Sequence, residues 1–117
     1  LNIKQYVRQV LSNSEIINLT GDKKVHFLHA INPALPYVEY EIADEYGEEY
    51  AENEEKHTTY SIQVDIFSKT DYTNLEEKIK EKMKISGFGR GTAVDLYKKD
   101  TELYHKAMRF SITLKAD

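Results

Sequence analysis

The run Tyr60-Ser61-Ile62-Gln63-Val64-Asp65-Ile66 constrains this chain more than any other stretch. Tyr60, Ile62, Val64 and Ile66 alternate strictly with Ser61, Gln63 and Asp65, and a two-residue period is that of a strand with one buried face. Such a strand needs neighbours at its edges and a layer over its apolar side. Residues 57–69 are therefore read as a strand, and the rest of the chain as its partners and cover.

Further strands follow from the same pattern. "YVEYEIAD" sets Val38, Tyr40 and Ile42 on one face against Glu39 and Glu41. "LYHKAMRFSITLK" sets Met108, Phe110, Ile112 and Leu114 against Ala107, Arg109, Ser111 and Thr113. "GRGTAVDLYKK" predicts a strand with Val94 and Leu96 inward. "KKVHFLHA" (23–30) is β-prone, and "INPALP" carries both prolines and must be a connection. Two segments change period. Ile3, Tyr6, Val7, Val10 and Leu11 fall on one helical stripe, predicting a helix from about residue 2 to 12. Leu75, Ile79 and Met83 form a second stripe, with Thr73 and Glu76 read as a capping box, Glu76–Lys80 as an i,i+4 pair and Gly87 as the stop. "EIINLTGD" reads as a short turn. The predicted order is α-β-β-β-α-β-β. It describes an α+β chain with an antiparallel-dominated sheet of about five strands and two helices on one face. At 117 residues this is one domain, large enough to bury roughly two-thirds of its unfolded surface.

Charge is unevenly placed. Glu39, Glu41, Asp44, Glu45, Glu48, Glu49, Glu52, Glu54 and Glu55 face a single Lys56, a local balance of −8 in a chain of net charge −4. Residues 44–56 have no apolar face and read as a flexible acidic loop. An acidic lobe of this kind argues against nucleic-acid binding. No run approaches the ~20 apolar residues of a membrane helix. The absence of cysteine excludes disulfides, thiolate zinc sites and cysteine nucleophiles.

Chemistry finds little purchase. With Gly47 as the sixth residue of a calcium loop, the first, third and fifth positions would be Ile42, Asp44 and Tyr46, and only one of these is a hard oxygen ligand. His26 and His29 are an odd number of residues apart, so on a strand they face opposite ways; His57 and His105 are isolated. The glycines of "GFGRGT" (87–92) follow a helix and precede a strand, the reverse of a dinucleotide-binding turn. No catalytic group, metal or cofactor is expected. Nine tyrosines and no tryptophan suit a protein that binds other proteins, with Tyr37, Tyr46, Tyr50, Tyr72 and Tyr97 off the inward stripes.

"TTYSIQVDIFSKTDYTNLEEKIKEKMKISGF" followed by "DLYKKDTELYHKAMRFSI" resembles the small tail-completion, or tail-terminator, proteins of long-tailed bacteriophages and prophages. The matching elements are Pro36 to Tyr40, Tyr60 to Lys69 and Asp95 to Phe110, so the resemblance spans most of residues 36–114. It implies a non-enzymatic head–tail joining protein of the virion, assembled in the bacterial cytoplasm. Such proteins form rings, usually hexameric, that cap the tail tube and dock to the head connector. The implied partners are further copies of the chain, the major tail tube protein and connector proteins, with no nucleic acid and no membrane. The implied contact residues are Asp44, Glu45, Tyr46, Glu48, Glu49, Tyr50, Glu52, Glu54 and Glu55 on the acidic arm. Asp95, Tyr97, Lys98, Lys99, Asp100 and Arg109 offer a second face. Two other readings compete: a small acidic regulator or inhibitor that binds a basic protein, and a small enzyme using His26 or His57 with a carboxylate.

Overall fold

A computed structural model describes residues 2–48 and 57–115. Its elements are α1 (Ile3–Leu11), α2 (Ser14–Ile17), β1 (His26–Phe27), β2 (Tyr37–Glu48), β3 (His57–Ser68), α3 (Thr73–Ile85), β4 (Gly89–Lys98) and β5 (Leu103–Lys115). The strands form one sheet in the order β1-β2-β3-β5-β4. Every neighbouring pair is antiparallel except β1 with β2. The α+β class and the five strands agree with the sequence pattern.

The core lies between the helices and one face of the sheet. Ile3, Val7 and Leu11 of α1, Ile16 of α2, and Leu75, Ile79 and Met83 of α3 pack with Val38, Tyr40, Ile62, Val64, Ile66, Met108 and Phe110 in one cluster. Each fully buried aliphatic or aromatic side chain contributes about 1.5–3 kcal/mol relative to exposure, so this cluster supplies the main drive to fold. Helix α1 starts where Asn2 Oδ1 accepts from the Gln5 amide at 3.2 Å. The Tyr6 hydroxyl donates to the Ser86 carbonyl at 2.7 Å, joining α1 to the end of α3.

Several expectations are corrected. A third helix, α2, replaces the predicted turn. Asn13 caps it by accepting from the Glu15 amide at 2.9 Å, and the wholly buried Ile16 anchors it. The strand predicted over 23–30 shrinks to two residues, because Lys23 and Leu28 adopt positive φ and leave the extended conformation. The capping box is absent. Thr73 is already helical and Tyr72 is the N-cap, while Asp71 Oδ1 accepts from the Thr73 amide at 2.9 Å and its hydroxyl at 2.6 Å.

Two bulges change which way side chains point. Between Arg90 and Ala93 the register against β5 slips by one residue. A one-residue slip sends every later side chain to the other face. Val94 and Leu96 therefore pair with Ala107 and His105 on the face away from the helices, and they are 49% and 46% exposed rather than inward. A second slip between Ile42 and Asp44 moves Asp44 and Tyr46 onto that same open face, opposite Ser61 and Thr59.

Candidate functional site

Helices cover one side of the sheet; its other side carries a row of rings. Tyr37, Phe67 and His105 come from the neighbouring strands β2, β3 and β5, and their ladder positions line up. Their rings stack in sequence, with centroids 4.9 Å apart for Tyr37–Phe67 and 4.3 Å for Phe67–His105. Burial, and secondarily the charge of Glu39, pushes the Tyr37 phenol above its ordinary pKa. Lys98, Thr101 and Leu103 close a cavity of about 170 Å³ over this row. That volume suits a single protruding side chain better than a cofactor, since small-molecule sites run to about 300–1,000 Å³.

A polar strip runs beside the rings. His105 Nε2 lies 2.7 Å from Asp65 Oδ1, Gln63 Nε2 donates to both Asp65 oxygens at 3.0 and 3.2 Å, and Arg109 Nε donates to Gln63 Oε1 at 2.8 Å. This network occupies the hydrogen-bonding capacity of Asp65, which is only 7% exposed. It gives the open face a fixed pattern of rings and polar groups.

On the helix side, a cleft of about 700 Å³ is lined by Lys69, Thr70, Asp71, Tyr72, Thr73, Glu76, Asp95, Tyr104 and Lys106. Tyr72 donates its hydroxyl proton to Asp95, and Lys106 Nζ lies 3.2 Å from Asp95 and 3.4 Å from Glu76. Lys80 Nζ approaches the same Glu76 oxygen, Oε2, at 2.5 Å. The Tyr72 bond, followed by that of Lys106, lowers the pKa of Asp95 against a small cost of burial. Burial works against the charge of Lys106, but the Asp95 bond and the two carboxylates outweigh it and raise its pKa. Burial and then the Asp95 bond push the Tyr72 phenol well above its ordinary value. Lys106 is therefore paired with both Asp95 and Glu76, and these contacts bolt β4 to α3.

The described contact residues expected from sequence fall at separate places in the sheet. Asp44, Glu45 and Tyr46 belong to β2 and are paired with β3, not part of a loop. Glu48 is the last residue of that strand. Ladder bonds to residues 57–61 hold this stretch extended regardless of its lack of an apolar period. Glu49, Tyr50, Glu52, Glu54 and Glu55 lie outside the described residues. Tyr97 and Lys98 end β4, with Lys99 and Asp100 in the turn after it, at the opposite edge of the sheet. Arg109 lies between, on the open face.

Sequence reasoning missed Phe67 and His105. Phe67 gave a usable signal, because it is a large apolar residue out of phase with the inward stripe of β3. His26 meets Asp22, with Nε2 and Oδ2 2.6 Å apart. Among the described residues no group of three or more metal-ligating side chains comes together, and no helix is long and apolar enough to cross a membrane. Comparison with protein-family models and with curated proteins gave no match.

Proposed function

We propose that this chain is a structural subunit of a phage or prophage tail, a tail terminator or head–tail joining protein. It works as a ring, of six copies in the pattern of the family it resembles, that caps the tail tube and receives the head connector. Its partners are other copies of itself, the major tail tube protein and the connector proteins. Its place is the head–tail junction of the virion, reached after assembly in the bacterial cytoplasm. The role is one of contact and involves no chemical step.

The observation that carries this reading is the half-covered sheet. Helices protect one face, while the other displays the Tyr37–Phe67–His105 row and the exposed Val94 and Leu96. An ordered apolar and aromatic surface with a polar strip beside it has the composition of a protein–protein interface. The motif resemblance over residues 36–114 supplies the kind of assembly.

Analytical ultracentrifugation and negative-stain microscopy, with and without tubes of the cognate tail tube protein, test the reading. Closed rings, or rings that appear only on tube ends, are the expected result. A chain that stays monomeric and never binds tubes would overturn it.

A further inference from the structure

The sheet has two free edges, and they differ in charge. Strand β4 is one edge, and all ten of its residues are exposed. Strand β2 is the other: past Tyr40, where β1 ends, its neighbour among the described residues is β3 alone. Arg90 and Lys98 lie on the β4 edge and Lys99 follows it, while Glu41, Asp44 and Glu45 lie on the β2 edge. None of these six has an ion-pair partner among the described residues. The remaining charge on β4, Asp95, is already held by Tyr72 and Lys106.

We propose that the β2 edge of one copy, from Glu41 onward, pairs with the β4 edge of the next, so that copies join head to tail through a continuous sheet. This rests on the reading of the chain as a ring subunit and names the surfaces that close the ring.

Three features of the fold converge on it. The first is strand direction. Along the order β2-β3-β5-β4 each step is antiparallel, so β2 and β4 run in opposite directions. A following copy in the same orientation therefore brings its β2 antiparallel to this β4, the commoner ladder. The second is charge. Edges of folded proteins carry charge that blocks indiscriminate pairing. Here β4 against β4 sets cations together and β2 against β2 sets carboxylates together, whereas β2 against β4 pairs opposite signs. This disfavours a two-fold dimer and selects the heterologous contact that rings require. The third is the bulges. Each shifts an exposed apolar group onto the open face, Tyr46 on β2 and Val94 with Leu96 on β4. In a continuous sheet these groups come to lie on the same side of the junction.

Paired charge reversal tests the proposal. One variant carries Arg90→Glu, Lys98→Glu and Lys99→Glu, making both edges acidic. The other carries Glu41→Lys, Asp44→Lys and Glu45→Lys, making both basic. Each alone is expected to lose self-association by roughly tenfold or more, with an unchanged circular dichroism spectrum. An equimolar mixture is expected to regain it, because every junction then joins an acidic edge to a basic one. If a triple variant fails to fold, Lys98→Glu and Asp44→Lys replace the two triples in the same experiment. Variants that assemble as the wild type does, or a mixture of folded variants that stays dissociated, overturn edge pairing and leave the ring reading standing. Wild-type chain that associates through these edges yet never binds tubes overturns the ring-cap reading and leaves edge pairing standing. Wild-type chain that is monomeric at high concentration and on tubes overturns both.

Discussion

The Tyr72 hydroxyl donates a hydrogen bond to Asp95, tying the residue before α3 to the middle of β4. This bond matters because β4 has no buried side chain of its own to hold it on the sheet. Its security comes from its ladder with β5 and from the Tyr72–Asp95–Lys106–Glu76 chain of contacts. Tyr72→Phe removes one member and leaves the ring of the side chain in place. A loss of about 1 kcal/mol is expected, within the usual range for a single hydrogen bond. Urea titration measures it, and hydrogen exchange should quicken in β4 before it quickens in β3.

The same network makes stability depend on pH at both extremes. The folded pKa of Asp95 is depressed, by the Tyr72 bond first and Lys106 second. Its contribution is complete above the ordinary carboxylate value of 3.8 and fades as pH falls through the folded value. Tyr72 and Lys106 are shifted the other way, upward from 10.0 and 10.5. Their contributions are complete below those values and fade as pH rises past them. Asp95→Asn should flatten the acid limb of the melting-temperature profile, and Tyr72→Phe the alkaline limb. Because Asp95 is 61% exposed, salt should weaken the acid-limb effect. Profiles of both variants that superimpose on the wild type would rule the network out as their source.

Gly21 is held where no side chain fits. A Cβ there would lie 2.4 Å from the Leu35 carbonyl oxygen and 2.6 Å from that of Ala34. Its amide donates to the Pro36 carbonyl at 2.8 Å, so the two loops cannot part without losing that bond. Gly21→Ala is expected to cost about 2–3 kcal/mol, the scale of overpacking against rigid backbone. The expected signature in urea is a lower midpoint with an unchanged slope.

What could be read in advance followed from periodicity, and what could not followed from register. The stripes of β3 and α3 were legible because Ile62, Val64, Ile66, Leu75, Ile79 and Met83 all reach the core. The acidic stretch misled because Asp44 to Glu48 are extended by pairing with residues 57–61, and pairing leaves no mark on side-chain pattern. Val94 and Leu96 misled for a more instructive reason. Counted from Arg90, which pairs with Phe110, their parity does point toward the helices; the bulge after Arg90 inverts it. Gly91 lies in that bulge, where an added Cβ would come within 3.2 Å of the Arg109 Cβ, but a glycine among three in "GFGRGT" does not announce which one bears the slip. The candidate surface is half visible in the sequence: Lys98 and Arg109 stand among the expected contact residues and Tyr37 among the off-stripe tyrosines, whereas the stack of Phe67 on His105 needs the β3–β5 ladder to bring it together.

That inversion yields the sharpest separation of stability from assembly. If Val94 and Leu96 packed under the helices, replacing both with serine would open a cavity and cost several kcal/mol. On the open face they lose little by the change, because surface substitutions usually stay within about 0.5 kcal/mol each. A surface that binds other copies or a tube would lose apolar contact area at the same time. Val94→Ser with Leu96→Ser is therefore expected to shift the urea midpoint only slightly while preventing ring formation and tube binding. Asp65→Asn tests the neighbouring polar strip differently. It keeps the shape of the carboxylate but removes its charge beside His105, where Nε2 approaches to 2.7 Å. The serine pair should act on assembly alone, whereas Asp65→Asn should act on both stability and assembly, because Asp65 is nearly buried and holds the strip together. Sedimentation and urea unfolding of the two proteins side by side would show the contrast. Severe destabilisation of the serine pair would mean that these side chains face the core after all.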